Sequence, residues 1–79
     1  MRMPTEDDRV MFEALTSALG KISAATRHKG AEVRRAFIEA HHGKGPGPTM
    51  DQIGEWERLR LIEDAERVKV EALMRSIFE

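Results

Sequence analysis

An all-α fold follows from three features of this 79-residue chain. Apolar residues recur with a 3.6-residue period and never sustain a period-2 alternation. Tyrosine is absent and β-branched residues are scattered, which leaves little to build strands from. Helix start and stop signals punctuate the chain. The reading is a small bundle of three helices, about 5–28, 31–42 and 49–78, with a long C-terminal helix, completed by self-association. Residues 1–4 read as a disordered tail and 43–48 as a Gly/Pro hinge within a single domain.

The first helix starts at Thr5, a good N-cap, and Glu6, Asp7 and Asp8 put negative charge where the helix dipole favours it. Met11, Leu15, Ala18, Ile22 and Ala25 then form one narrow stripe, widened by Phe12 and Leu19. The segment "TRHKG" reads as its end, with three basic residues followed by Gly30 as a left-handed cap. The second helix carries Val33, Ala36, Phe37 and Ala40 on one face. Its phase nearly continues that of the first, so a single helix through Gly30 is the alternative. A break is preferred because continuity would place Thr26 and Lys29 in the apolar stripe and a glycine in mid-helix, at about 1 kcal/mol relative to alanine.

The third helix opens with a capping box, "TMDQ", in which Thr49 and Gln52 satisfy each other's backbone donors. Its apolar residues, including Leu59, Leu61, Ile62, Ala65, Val68, Val70, Ala72 and Leu73, spread over more than half the circumference. A surface helix needs an arc of only about 100°. A helix this widely apolar has to be covered on two sides.

The stretch "EAHHGKGPGPT" is the one place that hints at small-molecule chemistry. A Walker-type phosphate loop reads G-x-x-x-x-G-K-[ST] between a strand and a helix. Here Ile38 stands where the first glycine belongs and Gly45 follows Lys44. Pro46 and Pro48 also remove N–H donors that would hold phosphate. His41 and His42 are adjacent, so on a helix they point about 100° apart and cannot share one ion. The stretch is therefore read as a hinge, with Gly43 ending one helix and Thr49 starting the next.

Without cysteine, disulfides, thiolate metal sites and cysteine nucleophiles are excluded. No Ser/His/Asp arrangement can be argued from spacing, and the expectation is no enzyme, no cofactor, no metal and no small-molecule substrate. No apolar run approaches the ~18 residues of a membrane span, and a cytoplasmic protein is expected. The net charge is −1, but it is unevenly placed: −2 over residues 1–20, +4 over 21–48 and −3 over 49–79.

Two functions remain. The first is a protein–protein interaction module, acting as adaptor, regulator or stoichiometric inhibitor. Its anchors would be Trp56, Leu59, Leu61, Val70, Leu73, Ile77 and Phe78, and Val70→Asp should abolish association while keeping helicity. The partner would be another protein or a second copy in a homodimer. The alternative is a nucleic-acid-binding regulator, or an inhibitor of a nucleic-acid-handling machine. It would use Arg27, Lys29, Arg34, Arg35 and Lys44 for nucleic-acid or acidic-partner contact.

Overall fold

The computed structural model describes residues 1–79 and contains two long helices and no strand. Helix α1 spans Glu6–His41 and α2 spans Met50–Phe78. They pack antiparallel as a rod of 58 × 17 × 16 Å. The expected three-helix bundle is thus replaced by a hairpin, because α1 runs unbroken through Gly30.

The reason lies across the seam. A Cβ at position 30 would lie 2.9 Å from Nε1 of Trp56, so the indole of α2 occupies the space a side chain would need. Gly30 admits a large ring and does not end a helix. The two other objections to continuity are also met. The Thr26 hydroxyl donates to the Ile22 carbonyl at 2.8 Å, so its burial leaves no polar group unpaired. Lys29 lays its stem across the seam and brings its ammonium to Glu32 at 2.7 Å and Glu55 at 3.4 Å.

The seam follows a heptad rhythm. Among the less exposed positions of α1, Asp8, Leu15, Leu19, Ile22, Thr26, Lys29, Val33, Ala36 and Ala40 mark the line of the seam, flanked by Thr16, Ser23, Gly30 and Glu32. With Phe12 in the one gap, the spacing alternates between four and three residues throughout. In α2 the same rhythm picks out Gln52, Trp56, Leu59, Glu63, Glu66, Val70, Leu73 and Ile77. Met11, Ala18 and Ala25, expected in the stripe of α1, are exposed beside it. The Gly30–Trp56 contact and the Lys29–Glu55 pair set the register, which brings Glu63 level with Ile22 and Glu66 level with Leu19.

Both helix starts are capped as the residues dictate. Thr49 Oγ1 accepts from Gln52 N at 3.0 Å, and Gln52 Oε1 accepts from Thr49 N at 2.9 Å. At Thr5 the reciprocal partner is Asp8, whose carboxylate accepts from Thr5 N at 2.8 Å. α1 ends in a Schellman motif: Gly43 has φ 72°, its N–H donates to Ala40 at 3.0 Å, and Lys44 N donates to Glu39 at 2.8 Å. Gly47, with φ 90°, makes the second left-handed turn before Pro48 and the Thr49 cap. Residues 1–4, expected as a tail, run beside the end of α2, where Arg2 N donates to the Ile77 carbonyl at 2.8 Å.

Candidate interaction surface

Two helices enclose little. Only Thr26, Leu73 and Ile77 are buried, and no side chain is fully shielded. The apolar circumference of α2 therefore divides into a part that meets α1 and a part that meets nothing.

The first part holds most of the expected anchors. Trp56, Leu59 and Val70 are half-buried and Leu73 and Ile77 buried, all on the seam side. These five face α1 across the seam of the hairpin. Val70→Asp would put a charge in the seam, so the hairpin itself, and not association alone, is expected to weaken.

The second part is exposed. Leu61 is 70% and Val68 61% solvent-accessible, with Ala65 and Ala72 also exposed. Their numbers, 61, 65, 68 and 72, repeat the four-three spacing of the seam on another face of the same helix. A single helix thus carries two apolar stripes. Val68 was within the wide apolar arc read from the sequence but not among its anchors. The signal that singles it out is this second run of heptad spacing.

Phe78, the remaining expected anchor, lies at the open end of the hairpin. With Pro4, Phe12, Met74 and Ile77 it lines a shallow groove of about 270 Å³. Asp8 and Arg9 border this groove. The Arg2 guanidinium, together with the Thr5 backbone N–H, holds the Asp8 carboxyl well below the usual carboxylate range. Arg9 is committed to Glu6 and Glu13. The polar rim is satisfied within the chain.

The basic residues do not form one patch. Lys29 belongs to the seam, and its pairing with Glu32 pulls that carboxyl below its ordinary range. Arg27 and Arg34 lie three residues before and four after Gly30, on the face where Trp56 sits. Arg60 joins them there, its guanidinium 5.3 Å from the indole centroid. Arg35 points about 100° away from Arg34, and Lys44 lies in the interhelical turn. Arg27, Arg34, Arg35 and Lys44 make no ion pair. The rings of His41 and His42 stand 5.5 Å apart, and no three His, Asp or Glu side chains converge as a metal site would need. Neither helix is long and apolar enough to cross a membrane.

No family model matches this sequence, and no curated protein or solved structure is significantly similar to it.

Proposed function

We propose that this chain is a non-enzymatic protein–protein interaction module, a cytoplasmic adaptor, regulator or stoichiometric inhibitor, that works through the outer face of α2. One observation carries the reading: Leu61 and Val68 stand exposed in a heptad stripe with nothing against them, on a helix whose other stripe is already used. In such recognition an apolar helix face supplies the affinity through anchors about one turn apart.

A photo-crosslinking side chain at position 61 or 68 tests this in cells that express the protein. A discrete protein adduct is expected from both positions and none from position 67 or 69, whose exposed side chains lie on the flanks of α2 between its two stripes. Absence of any adduct at 61 and 68 would remove the proposal.

A second reading rests on the unpaired Arg27 and Arg34 beside the Trp56–Arg60 stack, which suit a nucleic-acid backbone. Binding would weaken steeply between low and moderate salt, because each neutralised phosphate releases counterions. No binding at low salt would eliminate that reading.

A further inference from the structure

We infer that the occupant of the Leu61–Val68 stripe is a second copy of this chain, docked antiparallel through α2 to give a four-helix bundle. The inference rests on the interaction-module reading and names its partner.

Area argues for it first. A compact monomer of 9.0 kDa exposes about 4,850 Å² by the scaling of surface with mass. This chain exposes 6017 Å². The excess, about 1,200 Å², is the share each partner buries in the larger obligate dimer interfaces, which total about 2,000 Å² or more. A second copy removes that share from each chain at once.

Shape argues for it second. The stripe alternates a large residue with a small one: Leu61, Ala65, Val68, Ala72. Place a two-fold axis between residues 66 and 67, across the helix. Leu61 then comes level with Ala72 of the partner subunit, and Ala65 with Val68 of the partner subunit. Every large side chain meets an alanine, so two helices can approach closely and interdigitate without a void. The stripe is complementary to itself under a two-fold axis, the property an isologous interface requires. A foreign partner would need no such symmetry.

Light scattering on a sizing column across a hundredfold range of concentration gives the first readout. The expected mass is twice the 9.0 kDa chain, and Leu61→Asp with Val68→Asp should halve it. Both substituted side chains are outside the hairpin seam. Cross-linking supplies a readout that does not depend on a disrupted fold. The chain has no cysteine of its own. Leu61→Cys with Ala72→Cys should form a covalent dimer on mild oxidation. Leu61→Cys alone should not, since the two copies of that position would lie about 16 Å apart along the axis.

A folded wild-type monomer at every concentration overturns the inference. So does a dimer that the double aspartate variant leaves intact. Covalent dimer from Leu61→Cys alone would overturn the antiparallel arrangement. A photo-adduct at position 61 to a different protein, with the isolated chain monomeric, would overturn the second copy yet uphold the interaction module, so the two failures are distinguishable.

Discussion

An alanine methyl at position 30 would lie 2.9 Å from the indole nitrogen of Trp56, whereas one at Gly20 would meet nothing within 4 Å. The same substitution should therefore act with opposite signs on one helix. Gly20→Ala removes a mid-helix glycine and should stabilise by about 0.5–1 kcal/mol. Gly30→Ala gains the same propensity but must displace a ring held in the seam, and overpacking of that kind costs about 1–3 kcal/mol. It should be destabilising on balance, by about 1 kcal/mol. Thermal melts followed by circular dichroism compare the two variants directly. Asp8 gives a second test at this scale. Its folded pKa is depressed by the Arg2 guanidinium and then by the Thr5 N–H, so its contribution is complete above the unfolded carboxylate value of about 3.9 and is lost as pH falls through the folded one. The stability gap between wild type and Asp8→Ala should be constant from pH 7 to about 5 and narrow steadily in acid. A gap unchanged at pH 2 would show that the carboxylate is not what holds this cap.

The seam carries two carboxylates that a helical interface would usually replace with apolar residues. Glu63 and Glu66 stand at core positions of the heptad pattern, their side chains only 18% and 21% exposed, level with Ile22 and Leu19. Arg67 and Lys69 draw them outwards from the neighbouring turn. Replacing both glutamates with leucine should raise the melting temperature, since an apolar pair of similar size commonly gains about 1–4 kcal/mol over half-buried charges. Val70→Asp, by contrast, should unfold the hairpin, while Leu61→Asp should leave its helicity intact. These elements also show what the sequence could disclose. Local chemistry was legible: Thr5 and Thr49 cap their helices, Gly43 terminates α1, and the Gly/Pro segment is a connection. The break at Gly30 was misplaced because a glycine required by a ring 26 residues away looks the same as a glycine that ends a helix. Which side of α2 faced inwards was hidden for a related reason. Trp56, Leu59, Val70, Leu73 and Ile77 differ from Leu61 and Val68 only in register, and register is fixed by contacts between helices.

A rod of 58 × 17 × 16 Å with three buried residues has little interior of its own, so the proposed association should add to the stability of the fold. Its melting temperature should then rise with protein concentration, because assembly stabilises the folded state by mass action. A hundredfold dilution should lower it measurably in the wild type. Once Leu61→Asp and Val68→Asp have severed the copies, the melting temperature should be lower and indifferent to concentration. A wild-type melting temperature that dilution leaves unchanged would show that two helices suffice.

The eight residues from His42 to Thr49 have a consequence for the whole molecule. The chain reverses here only because Gly43 and Gly47 adopt left-handed angles. If both were valine the turn would be strained, and opening it would relieve that strain. The heptad pattern would remain, but each half would have to find its complement on another molecule. Two such chains would exchange helices and rebuild the same contacts between them, as hinge variants of other proteins do. The connection thus decides whether a given set of contacts belongs to one polypeptide or is shared between two.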